Sequence, residues 1–132
     1  MSLQLLRNDS HLAISYDHLQ EWLYADWQGE QTLSSVQQGG HDLLHFLTQQ
    51  RCHKVLNDNR NVTGMWSEAA EWAGKEWFPT MMDAGLQYFA WVYSPNVYSR
   101  LSTDLTLQFA RGNVVVATFD DLETARAWLT LV

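Results

Sequence analysis

The sequence predicts a small α/β domain: a mostly parallel sheet of four or five strands with helices, in the order ββαβαβαβα. Three observations carry that expectation. Short β-rich runs alternate with longer segments of helical period, the pattern of parallel strands joined by crossover helices. Three of the runs, at 54–57, 88–93 and 114–119, are apolar without strict alternation, as expected of strands covered on both faces. No Pro- or Ser-rich linker, internal repeat or low-complexity segment divides the 132 residues, 46% of them hydrophobic, so one domain over residues 1–132 is the simplest packing.

Taken in order, Leu12 to Tyr16 and Trp22 to Trp27 are strand-forming runs on either side of a polar segment at Asp17, and together they predict an antiparallel hairpin. From Thr32 to Gln50 the period becomes helical, with Val36, Gly40, Leu43, Leu44 and Leu47 inside an arc of about 100°. The third strand is Lys54 to Asn57, followed by a polar loop. A helix runs from Ser67 to Ala84 and stops at Gly85, with Pro79 expected to kink it. Tyr88 to Tyr93 is the next strand, and a helix follows from Asn96 to Thr106. Leu105 to Phe109 alternates with period two and is assigned as irregular. Val114 to Phe119 forms the last strand, and "DLETARAWLTLV" from Asp121 the last helix. Right-handed crossovers would lay the helices on the sheet faces.

Composition narrows the function classes. A formal charge of −7 and a pI near 5.0 disfavour nucleic acid and anionic membranes, since eight scattered cations form no basic patch. The single cysteine, Cys52, allows no internal disulfide and suits a reducing compartment as a buried, inert thiol. "MSLQLLRNDS" lacks the pattern of a secretory leader, and no apolar stretch approaches the roughly 18 residues of a membrane span. A cytoplasmic location without membrane insertion is expected, so the acceptor-like tripeptide Asn61-Val62-Thr63 has no access to glycosylation.

No catalytic motif stands out, so the chain is expected not to be an enzyme and to carry no cofactor. His41 and His45 stand one helical turn apart in "HDLLH", as in zinc-binding helices. They fall about 120° to 180° from the apolar stripe, facing solvent, and no third ligand accompanies them, so no metal is expected. Cys52 and His53 are adjacent at a strand start and point to opposite faces, which prevents them from acting as a catalytic pair. Neither a G-x-S-x-G elbow nor a glycine-rich phosphate loop occurs.

Binding is a better-supported expectation. In open α/β sheets ligands bind beyond the carboxyl ends of parallel strands. Those ends would present Asp58, Asn59, Arg60 and Asn61, then Ser94, Pro95 and Asn96, then Asp120 and Asp121. For any single one of these an ordinary turn or cap is the simpler reading. In the helix that follows, Ala70, Ala73, Trp77, Met81 and Ala84 share one face, leaving Trp72, Phe78 and Met82 off it. That surplus suits either a surface for a protein partner, a further copy of the chain included, or an apolar pocket. In the pocket alternative, Trp66, Trp72 and Phe78 hold a small amphipathic, lipid-like ligand beneath the polar loop. Packing within the chain is the plain alternative to both.

The order of elements, with "KVLNDNRNVTG" leading into a helix and "YFAWVYSP" and "VVVATFDD" following, resembles the SpoIIAA-like family of the STAS domains, related in shape to the Sec14-like lipid-binding fold. The resemblance covers nearly the whole chain and lies in pattern more than in diagnostic residues. It implies a non-enzymatic binding or regulatory module, of the kind found in bacteria, acting through the loop and helix after the third strand. In anti-sigma-factor antagonists a Ser or Thr before a Gly, in an Asp-Ser-Ser/Thr-Gly motif opening that helix, is phosphorylated. Here Asn61-Val62-Thr63-Gly64 stands nearest, so the carry-over falls on Thr63 alone, near a helix N-terminus and beside Arg60. Asn61 and Val62 depart from the motif.

Overall fold

The computed structural model describes residues 2–132. Their strands are β1 (Leu3–Asn8), β2 (Leu12–Asp17), β3 (Trp22–Glu30), β4 (Lys54–Thr63), β5 (Tyr88–Val92) and β6 (Val115–Phe119). They lie side by side in chain order in one sheet. The pairs β1–β2 and β2–β3 are antiparallel, and β3–β4, β4–β5 and β5–β6 are parallel. The sheet is therefore mixed, and its six strands correct the expected four or five. No helix among the described residues is long and apolar enough to cross a membrane.

The additional strand is β1, "LQLLRN". Leu3 and Leu5 are exposed and only Leu6 reaches the core, so this edge strand buries little and its pattern is faint. Main-chain pairing with β2 holds it, together with Arg7, whose Nη1 donates to Asp42 at 2.8 Å.

The second correction concerns Asp58 to Thr63, which belong to β4 and not to a loop. Past an irregularity between Asp26 and Gln28, β3 continues to pair with β4 out to Glu30 and Thr63. Asn57, Asp58 and Asn59 are buried there, each in hydrogen bonds that offset the cost of burying polar groups.

Four helical segments connect the strands. Helix α1 (Leu33–Gln50) starts at Thr32, whose side chain accepts from the Ser35 amide in a reciprocal capping box, and ends at Arg51 in the left-handed conformation. Helix α2 covers residues 67–83 in four pieces: a 3-10 turn (Ser67–Ala69), an α turn (Ala70–Trp72), a wide π turn (Ala73–Trp77) and an α segment (Phe78–Asp83). Pro79 directly follows the wide turn, as the second residue of that last segment.

Helix α3 (Val97–Phe109) extends three residues past the expected end, so Leu105 to Phe109 is helical and not irregular. Its buried positions Ser99, Ser102, Thr103 and Thr106 have i, i+3, i+4, i+7 spacing. The period is thus carried by small hydroxyl residues, which hydrophobicity does not reveal. Ser102 and Thr106 return their hydroxyls to the carbonyls of Tyr98 and Ser102, one turn back. Helix α4 (Leu122–Leu131) opens on Asp121, which caps Thr124.

Helices α1, α2 and α3 cover one face of the sheet over Leu12, Ile14, Leu23, Val55, Phe89 and their neighbours. Helix α4 alone covers the other, where Ala125 and Leu129 meet Trp22, Leu56, Ala90 and Val92.

Candidate functional site

Residue alternation along β4 decides which polar groups meet. Val55, Asn57 and Asn59 point to the face beneath α1 and α2, and Leu56 and Asp58 to the opposite face. The same rule puts Trp27 of β3 and Phe89 and Trp91 of β5 on the first face.

On that face lies a cavity of about 50 Å³. Trp27, Trp66, Trp72, Trp77 and Trp91 line it with Phe78 and Phe89, so five of the seven tryptophans meet at one place. Asn57, Asn59 and Gln31 are its polar members, and no titratable side chain lines it among the described residues. A site for one water needs about 10–15 Å³, whereas a cavity that takes benzene has about 150 Å³, so the space at rest suits a few heavy atoms.

The aromatic walls interlock edge to face: Phe78 to Phe89 at 5.1 Å between centroids, Trp77 to Phe78 at 5.0 Å and Phe89 to Trp91 at 5.3 Å. Trp66 and Trp91 stack at 6.1 Å. The mouth lies between α1 and α2, because Val36 and Trp72 are the half-buried lining residues there. Gly40 makes room for this arrangement, since a Cβ would stand 2.9 Å from Trp77 Nε1 and 3.0 Å from the Trp72 ring.

The π turn explains how α2 reaches the cavity. Phe78 N–H donates to Ala73 five residues back, which takes up one extra residue and sets the following side chains back by about 100° relative to a regular helix. Phe78, expected off the core face, is thereby turned inward and is 1% exposed. It is a wall of the core and not a surface anchor. Trp72, ahead of the wide turn, stays half-buried with His41 against its edge.

Three of the five lining tryptophans donate their indole N–H within the protein. Trp27 Nε1 donates to Asn57 Oδ1 at 2.8 Å, Trp77 Nε1 to the Gly40 carbonyl at 2.8 Å, and Trp66 Nε1 to Ser99 Oγ at 3.1 Å. Trp91 Nε1 is buried and has no partner.

The other expected site residues are scattered. Asp58 is fully buried on the opposite face, accepting from Tyr24 Oη at 2.6 Å and from Arg60 Nε and Nη2 at 3.0 and 2.9 Å. Burial alone would raise its pKa, but the hydrogen bonds from Arg60 and Tyr24 outweigh that and hold the carboxyl below the usual range. Arg60 is exposed and engaged in this pair. Asp26, its neighbour across the strands, is pushed up by burial and by the Asp58 charge.

Asn61 is exposed. Thr63 is exposed at the end of β4, opposite Glu30 and four residues before the first helical turn, so it does not stand at the helix N-terminus. Ser94 donates to the Val62 carbonyl at 2.6 Å, and Asn96 caps α3. Both serve the connection itself. Cys52 is buried, and burial pushes its thiol up to about 11. His41 and His45 are exposed.

Thus Asn59, Trp66, Trp72 and Phe78 line one cavity, while Asp58, Arg60, Asn61, Thr63, Ser94 and Asn96 do not. The lining residues missed in the sequence are chiefly Trp27, Asn57, Trp77, Phe89 and Trp91. An available signal was the shared strand parity of Trp27 with Ala25 and of Trp91 with Phe89.

Comparison with known proteins finds no family model that matches the chain, and no curated protein matches it either. Fold and cavity define the class: an α/β domain on a six-stranded mixed sheet with an aromatic cavity under its three-helix face.

Proposed function

We propose that the protein is a non-enzymatic binding module, a carrier or sensor that takes a small ligand into the tryptophan-lined cavity. The observation that carries this reading is the convergence of five tryptophans and two phenylalanines on a space that they leave unfilled, with buried asparagine amides at its wall. Protein interiors ordinarily close such gaps, because each void forfeits contacts. The lining has no hydroxyl, thiol, imidazole, carboxylate or amine to act as nucleophile or general base, which supports binding without chemistry. A cytoplasmic setting and kinship with SpoIIAA-like domains belong to the same proposal. The kinship rests on the order of elements from β2 onward, and β1 departs from it.

A thermal-shift screen of small uncharged compounds tests the reading. Compounds that stabilise the protein should lose their effect on Val36→Phe, which fills the mouth from α1. Stabilisation that persists in this variant, or a screen without any stabilising compound, would contradict it. A second reading, docking of a regulatory protein, is favoured by Val97, Tyr98 and Leu101, which stand exposed on α3. Leu101→Ser should then weaken association in size-exclusion chromatography while the thermal shifts of cavity ligands stay unchanged.

A further inference from the structure

The polar groups at the cavity wall form a chain whose direction is fixed at one end. The Trp27 indole can only donate, so the Asn57 atom it meets at 2.8 Å must be the carbonyl oxygen. Asn57 then presents its NH2 to Asn59, whose carbonyl oxygen accepts at 3.2 Å. Asn59 is left with its own NH2, which donates to no group among the described residues. Trp91 also lines the cavity, and its indole N–H is buried without a partner. On the acceptor side each amide oxygen at the wall already has one donor. Both asparagine oxygens are occupied, and Gln31 Oε1 accepts from Ser35 Oγ at 2.7 Å while its amide donates to the carbonyls of Gln28 and His11. The cavity wall therefore holds unpartnered donors, while each of its side-chain acceptors already has one hydrogen bond.

From this we infer that the cavity is built for an uncharged, flat ligand carrying a hydrogen-bond acceptor, such as a ring nitrogen or carbonyl oxygen, that meets Trp91 Nε1 and Asn59 Nδ2. The inference rests on the ligand-binding reading and narrows it. A cation, although attracted by indole faces, cannot accept either hydrogen bond and would leave both donors unpaired. A carboxylate could accept them, but no cationic side chain lines the cavity to offset its desolvation. Flatness follows from walls that are almost entirely aromatic rings. The resting space is smaller than a six-membered ring needs, so such a ligand enters with an outward swing of the half-buried Trp72.

The test compares pyridine with benzene, equal in shape and different in the acceptor, alongside tetramethylammonium and benzoate. Binding is read by nitrogen–proton NMR of the indole and amide side chains at mildly alkaline pH, where pyridine is uncharged. The expected result is that pyridine binds roughly tenfold tighter than benzene, the size of one net hydrogen bond, and shifts the Trp91 indole N–H. Trp91→Phe, which keeps an aromatic wall and removes the donor, should reduce that preference while benzene still binds. Equal binding of pyridine and benzene, with the Trp91 N–H unmoved, would overturn the acceptor inference and leave the cavity reading intact. Tighter binding of tetramethylammonium or benzoate would overturn the uncharged class. If none of the four perturbs the cavity, the reading beneath the inference falls with it.

Discussion

The two faces of the sheet solve the same packing problem differently. Beneath α4, Trp22 and Leu56 meet Ala125 and Leu129, Trp128 flanks them, and a fully buried charge, Asp58, is matched by Arg60 and Tyr24. Beneath α1, α2 and α3 the larger core contains five tryptophans that close around a space. An unpartnered indole donor occurs on each face, Trp22 Nε1 on the first and Trp91 Nε1 on the second. Only Trp91 borders the cavity, so only there does the missing partner have room to be supplied from outside. The contrast teaches that tryptophan content alone says little: the α4 face uses its indoles as filling, and the α2 face uses them as walls.

The largest expected effect comes from Phe78→Ala. With Phe78 turned inward by the π turn, truncation should cost about 3–5 kcal/mol, read as a lowered denaturation midpoint. A cost under about 0.5 kcal/mol would return Phe78 to the surface and remove the π turn from this account.

Arg60→Ala probes the opposite face. Asp58 would keep its Tyr24 bond and lose its charged partner, and because Arg60 is partly exposed water would replace some of the loss, leaving a cost of about 1–3 kcal/mol. The pH dependence has a definite sign. The Asp58 carboxyl titrates below its unfolded value, so its contribution is present above the usual carboxylate range near pH ~4 and is lost as pH falls through the folded value. Melting temperatures of Arg60→Ala should therefore fall less steeply below that pH than those of the parent. Parallel acid profiles would show that this pair does not set the acid limit.

Much of this contrast was readable from the residues. The hairpin of β2 and β3, the parallel run of β4, β5 and β6, and the capped helices α1 and α4 follow from apolar periodicity and capping residues. What escaped was carried by polar residues or by irregular backbone. "NDNRN" reads as a loop by composition, yet Asn57, Asp58 and Asn59 gain tertiary partners that make a strand affordable. The end of α3 hides its period in Ser and Thr, and β1 buries too little to announce itself. The cavity was half legible: Trp66, Trp72 and Phe78 fall in it, but the phase shift that brings Phe78 inward depends on a π turn that no regular period contains.

A smaller effect is expected of Trp72→Ala at the cavity mouth. Trp72 is half-buried, so its loss should cost about 1–2 kcal/mol, less than Phe78, while widening the entrance. Benzene should then associate and dissociate faster in NMR exchange measurements. Unchanged exchange would place the entrance elsewhere.

The most direct measurement is a titration of the labelled protein with benzene, following its seven indole N–H resonances. Trp27, Trp66, Trp72, Trp77 and Trp91 should shift together along one saturating curve while Trp22, beneath α4, and Trp128, on α4, stay in place. Shifts spread evenly over all seven, or confined to Trp22 and Trp128, would contradict a ligand cavity on the three-helix face.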